Sequence, residues 1–166
     1  MRQLHIVDVD RPQPSSYFGQ RAAELLDWET CLWRFEAEES YWLATMSDRP
    51  HSMPVWGIWQ QAAFRFIAHH NTKKARNLIA KPFANVHSAN PETVLILECD
   101  VAEVTAKDEL QQFVDDYNPK YKRQFAPDDV AGTVFALTPH TAFAWSTGTG
   151  PGSKDRATRW RFNVID

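Results

Sequence analysis

The chain has 166 residues, 43% of them hydrophobic and 23% charged, which describes one ordered domain able to bury roughly two thirds of its unfolded surface and excludes a disordered chain. A net charge of −3 argues against a protein whose main task is to coat nucleic acid, and no run approaches the roughly 18 apolar residues that span a membrane. Two cysteines, Cys31 and Cys99, with no secretory leader at the N-terminus, point to reduced thiols in a cytoplasmic protein.

In chain order, residues 1–19 carry Pro12, Pro14, Ser15, Ser16 and Gly19 and predict an extended arm over the surface of a single domain. A helix is expected over residues 20–40, where Leu25, Trp28, Leu32 and Phe35 mark one face at three- and four-residue spacing. Three short strands follow at Tyr41–Met46, Ser52–Trp59 and Ala63–Ala68, joined by the Asp48, Arg49, Pro50 cluster and by a tight connection at Gln60 and Gln61. Pro54 has no N–H for a ladder, so its strand must lie at an edge or carry a bulge there.

A polar turn at His69, His70 and Asn71 leads to a helix that opens at Thr72 and stops at Lys81 and Pro82. Phe83–Ser88 and Thr93–Thr105 read as the fourth and fifth strands. Thr105 and Asp108 resemble a capping box before a helix whose face is Leu110, Phe113, Val114 and Tyr117. Residues 118–129 read as a mobile connection, Val134–Trp145 as two strand pieces parted by Pro139, and Arg159–Val164 as a final edge strand. The sum is mainly β with peripheral helices: an antiparallel, six- to seven-stranded split β-barrel of Greek-key type.

The helix opening at Thr72 carries the functional signal. Lys73, Lys74 and Arg76 occupy its first turn, where the dipole already places partial positive charge and an acidic residue would be the favourable choice. A bound phosphate resolves that conflict, because free N–H groups, a hydroxyl and two or three cations converge on it, whereas the plain alternative is a solvated basic patch.

The stretches YWLATM, HSMPVWGIW, FRFIAHHNTKKARNL and KPFANVHS, with AFAW and ATRWRF near the C-terminus, resemble the pyridoxamine 5′-phosphate oxidase-like, flavin-binding split-barrel family, over roughly Glu38 to Phe162. NTKKARNL is the most specific part. The resemblance implies a homodimer holding flavin mononucleotide (FMN), or alternatively the deazaflavin coenzyme, in a groove between subunits and acting on a small-molecule substrate. It implies a phosphate site at Thr72, Lys73 and Lys74 assisted by Arg76 or Asn77, with His69 and Asn71 in the adjoining turn. Ala44, Thr45, Val55 and Trp56 then line the ring system, and Trp145, Arg159 and Trp160 reach the partner's cofactor. The family's oxidases of pyridoxamine phosphate carry a C-terminal arginine and histidine pair, whereas this chain has Arg159, Trp160, Arg161, Phe162, which argues against vitamin B6 oxidation.

The reading is a flavin-dependent oxidoreductase. A flavin- or haem-binding carrier without turnover, and a nucleic-acid-binding barrel, are the alternatives. The adjacent pair His69 and His70 is a poor chelate because neighbours on a strand point to opposite faces, so no metal is expected. If a side chain acts as acid or base, the candidates are His69, His70 and Tyr41. Gly148 to Lys154, GTGPGSK, lacks phosphate-loop spacing and reads as a flexible loop.

Overall fold

The computed structural model describes residues 3–10, 25–90, 92–129, 131–146 and 157–165. Most of the predicted N-terminal arm, the start of the predicted first helix and the loop Gly148 to Lys154 therefore lie outside the described residues. The elements are β1 (Gln3–Asp10), α1 (Trp28–Glu36), β2 (Tyr41–Met46), β3 (Pro50–Val55), β4 (Gly57–Gln60), β5 (Ala63–Ala68), α2 (Lys73–Ala80), β6 (Phe83–Ser88), β7 (Thr93–Glu103), α3 (Lys107–Tyr121), β8 (Thr133–Ser146) and β9 (Thr158–Ile165).

Nine strands form one antiparallel sheet in the order β1-β9-β8-β7-β6-β2-β3, with β5 paired to β8 and β4 to β5. The described residues thus hold more strands than the sequence predicts, because Ser52–Trp59 divides at Trp56 and part of the N-terminal arm is a strand against β9. β3 ends the sheet, so Pro54 lies on an edge as its missing N–H requires.

β8 closes the structure. It runs beside β7 from Thr93↔Ser146 to Glu103↔Phe135, while its other side pairs first with β5, over Thr133–Leu137, and then with β9, over Thr141–Ala144. The predicted break at Pro139 is a bulge instead: the register slips between Glu98 and Cys99, opposite Pro139 to Thr141, and the strand continues. A bulge tolerates the missing N–H and bends the strand, which lets it pass from one partner to the next.

Alternation on β5 separates two cores. Phe64, Phe66 and Ala68 face the barrel interior with Phe35, Tyr41, Leu43, Val86, Leu97, Phe135, Leu137 and Trp160. On the opposite side, Ile67 packs with Ile58, Val104 and Val134 against Phe113, Val114 and Tyr117 of α3. β4 and β5 turn through Gln61 and Ala62, both at positive φ (51° and 63°), the twist-compatible geometry of a two-residue hairpin loop.

Helix starts depart from the sequence reading in two places. α1 opens only at Trp28, because Asp27 caps it by accepting from Thr30 N at 2.8 Å and holds an extended conformation that stops the helix from growing backwards. α3 opens after Ala106, which makes no side-chain cap, so Thr105 and Asp108 form no capping box. α3 also runs on to Tyr121 through Pro119, into the span expected to be mobile, and ends at Lys122 in the left-handed conformation.

Candidate functional site

Thr72 caps α2 as expected. Its backbone is extended, its Oγ1 accepts from Ala75 N at 3.3 Å, and the same hydroxyl donates to His69 O at 2.8 Å. The first turn contains no acidic residue. Lys73 is exposed and Lys74 half-buried, and neither forms an ion pair among the described residues. Arg76 Nη1 donates to Asn71 O, folding its guanidinium back over the turn. His69 and His70 are exposed and stacked at 4.3 Å.

Asn77 does not join this group. It is buried and its Nδ2 donates to Thr45 Oγ1 at 2.9 Å, which ties α2 to β2 and engages the two side chains with each other. Ala44 lies on the outer face of β2, between Ser52 and Asn85.

The second wall comes from the gap between β3 and β4. Gly57 sits so close to β5 that a Cβ there would meet Phe64 Cζ at 2.2 Å, and the chain leaves the ladder just before it. Trp56 projects from that gap and stacks on Tyr121 of α3, with centroids 5.1 Å apart and planes 4° apart. Arg123 lies over the Trp56 ring at 5.1 Å. Tyr121 in turn holds Gly57 twice, its hydroxyl accepting from Gly57 N at 2.9 Å and donating to Gly57 O at 2.8 Å.

Between these walls lies a cleft of about 330 Å³ lined by Pro54, Val55, Trp56, Ile67, Lys74 and Tyr117. It thus brings together Val55, Trp56 and Lys74, three residues singled out from the sequence. Burial raises the Tyr117 hydroxyl, which is therefore a neutral group at ordinary pH. Among the described residues Lys74 is the single cation of the lining, placed among apolar and aromatic side chains, and this pairing suits a planar group that carries negative charge at one end.

A family model described as pyridoxamine 5′-phosphate oxidase matches residues 29–146, well over half of the chain. The chain belongs to the pyridoxamine 5′-phosphate oxidase family. A search of the curated proteins finds no match. Among solved structures, a NimC/NimA family protein from Clostridium acetobutylicum is similar at 15% identity and a TM-score of 0.61, covering 82% of this chain and 91% of that one. A structure described as an F420 reductase shares 22% identity and a TM-score of 0.54, over 72% of this chain and 98% of that one. HutZ, the haem storage protein from Vibrio cholerae, shares 19% identity and a TM-score of 0.57, over 69% and 91%. At these identities the likeness is one of fold.

In this member of the pyridoxamine 5′-phosphate oxidase family the C-terminal residues stand apart from the cleft. Trp145 lies eleven residues along β8 from Val134, whose neighbour across the ladder, Ile67, lines the cleft; measured along a strand that is roughly 36 Å. Arg159 is engaged with β1: its Nε donates to Asp10 Oδ1 at 2.7 Å and its Nη2 to Oδ2, and this hydrogen bonding holds the Asp10 carboxyl below its usual range. Trp160 is 1% exposed and packs edge-on against Trp28, so its side chain belongs to the core. Tyr41 is likewise removed as an acid or base, since its hydroxyl is buried and donates to Phe35 O at 2.8 Å, and burial pushes its ionisation far up.

Tyr117, which lines the cleft, and Tyr121 and Arg123, which pack on its Trp56 wall, escaped the sequence reading as site residues. Their four-residue spacing, Tyr117 to Tyr121, was the available signal. Pro119 and the basic run after it masked that signal, because they read as the end of the helix.

Proposed function

We propose that the chain is a flavin-dependent oxidoreductase that binds FMN with its phosphate at Thr72, Lys73 and Lys74 and its ring system in the cleft beside Val55 and Trp56. The observation that carries this reading is the position of Lys74, which belongs both to the uncompensated basic first turn of α2 and to the lining of the cleft. One cation thereby joins an anion site to an apolar slot. FMN, when bound, supplies the redox chemistry, and the protein's part is to hold and orient it. Trp56, held by Tyr121, forms one wall, Ile67 and Pro54 exclude water, and the neutral Tyr117 hydroxyl can donate a hydrogen bond at the ring edge.

The F420 reductase likeness supports the deazaflavin coenzyme as the second choice, since both cofactors offer a phosphate to the same turn. Haem is less well served: among the described residues, no histidine, cysteine or methionine lines the cleft. The reading also includes a homodimer in a cytoplasmic setting. Trp42, Met46 and Phe83 are exposed and share the outer face of β2 and β6, and a second copy would cover them and bring Trp145 within reach of the partner's cleft. Sedimentation of the cofactor-loaded protein at twice the monomer mass checks that part; a monomer with full cofactor occupancy contradicts it.

The deciding experiment is titration of the purified protein with FMN and with the deazaflavin coenzyme, followed by absorbance. Lys74→Ala is expected to weaken cofactor binding by about 1.5–3 kcal/mol, the scale of a charge-assisted hydrogen bond. An unchanged curve for that variant removes the anion site, and absence of binding by the unaltered protein at micromolar concentration removes the flavin reading.

A further inference from the structure

We propose that Lys120 is a positioning residue for the cleft: its ammonium group holds the Trp56 wall in place, so that binding in the cleft follows the charge of this one amine. The geometry joins four elements at a single atom. Lys120 Nζ donates to Tyr41 Oη on β2 at 2.8 Å, to Glu36 O at the end of α1 at 3.0 Å and to Gly57 O at the start of β4 at 3.2 Å. It lies 5.0 Å from the centroid of the Tyr41 ring and 5.5 Å from that of Tyr121. Tyr121 grips Gly57 through both backbone groups and carries the stacked Trp56, which lines the cleft. From the amine to the cleft wall there are two contacts.

Three acceptors match the three N–H groups of an ammonium. A neutral amine has two, and it also gives up the attraction of a cation for both rings. Burial draws this amine down to about 8, against the opposing pull of Glu36, Glu38 and Glu39. Glu36, Glu38, Tyr41 and Tyr121, which face it, do not change charge in that window. Burial raises the carboxyls of Glu36 and Glu38, but from a start of 4.5, while the Tyr121 hydroxyl is pushed up to about 12 and that of Tyr41 is raised as well. The amine is thus charged and the wall held at neutral pH, and the wall loosens as pH rises through the range where Lys120 releases its proton.

Two readouts test this, and they fail separately. The first rests on the flavin reading: FMN is titrated into the protein at about pH 7 and about pH 9.5, and affinity is expected to fall about five- to fiftyfold, the scale of a lost cation–π contact and one hydrogen bond. Lys120→Arg, which stays charged throughout, abolishes that fall. The second needs no cofactor: the near-ultraviolet circular dichroism of the stacked Trp56 and Tyr121 is followed over the same range, with a midpoint near 8 expected in the unaltered protein and absent from Lys120→Arg. Trp56→Leu, at an exposed side chain, assigns the signal by removing it and serves where the arginine variant does not fold. A flat profile in the unaltered protein, the same midpoint in Lys120→Arg, or a signal that survives Trp56→Leu overturns the proposal. If FMN fails to bind at any pH, the flavin reading falls while the dichroism still judges Lys120.

Discussion

Gly57→Ala is expected to cost the fold about 3 kcal/mol, read as a lower denaturation midpoint with an unchanged slope. The new methyl group would stand 2.2 Å from Phe64 Cζ and 2.7 Å from Arg65 O. Phe64 cannot swing aside, because it is fully buried among Phe35, Tyr41 and Phe66, with ring centroids 4.7–6.3 Å away. Overpacking of a filled core typically costs about 1–3 kcal/mol, and a clash that includes a backbone oxygen belongs at the upper end. The damage also reaches function, since Gly57 is the residue Tyr121 grips and Trp56 is its neighbour. Shortening the ring with Phe64→Leu is expected to return only part of the loss in the double variant, because the Arg65 carbonyl stays where it is. An unaltered midpoint for Gly57→Ala would mean that β4 and β5 can part by more than this geometry allows.

The second large effect concerns a charge on the other side of β5. Arg65 has a side chain only 3% exposed, and among the described residues its one carboxylate partner is Glu109 of α3, at 2.9 Å, itself 37% exposed. Gln61 Oε1 accepts from the same Nη2, while Arg65 Nε and Nη1 have no partner among the described residues. Glu109→Ala is expected to destabilise by about 2–3 kcal/mol, because it leaves a buried cation uncompensated; the value sits below that of a fully buried pair since Glu109 reaches solvent. Arg65→Met should be near neutral or stabilising, because it removes the charge together with its unmade hydrogen bonds and fills the same space between Ile58 and Ala136. Thermal melts of the two variants check this asymmetry, and equal losses in both would show that the pair contributes net stability.

Much of the fold could be read from residues whose chemistry leaves few options. Pro54 had to lie on an edge or a bulge, Thr72 was a natural helix start, and the alternation of Phe64 and Phe66 with Arg65 and Ile67 marked a strand with two different faces. The errors fall where a distant partner decides. Pro139 splits a strand by local rules, yet the slip opposite Glu98 and Cys99 absorbs it. Pro119 ends a helix by local rules, yet Lys120 and Tyr121 are held by β2 and β4, which keeps the last turn in place. Arg159 and Trp160 differ by one position and therefore face opposite sides of β9, one towards Asp10 and one into the core. The candidate site follows the same division: the basic turn is written in consecutive residues, whereas the wall of Trp56, Tyr121 and Arg123 exists only once α3 packs on the gap between β3 and β4.

The pairing of β1 with β9 has a consequence for how the molecule comes into being. Asp10 and Arg159 are 149 residues apart, and the ladder that contains them sets Gln3 against Ile165. During synthesis the first strand emerges long before its neighbour exists, and at the roughly 5–20 residues per second of translation it waits several seconds or more with its backbone groups unpaired. Ile6, Val7 and Val9 are exposed even in the finished sheet, so the nascent segment carries an apolar, β-prone stretch into a crowded environment. Asp8 and Asp10, which later meet Arg161 and Arg159, place charged groups between those apolar residues in the meantime and so interrupt the apolar run.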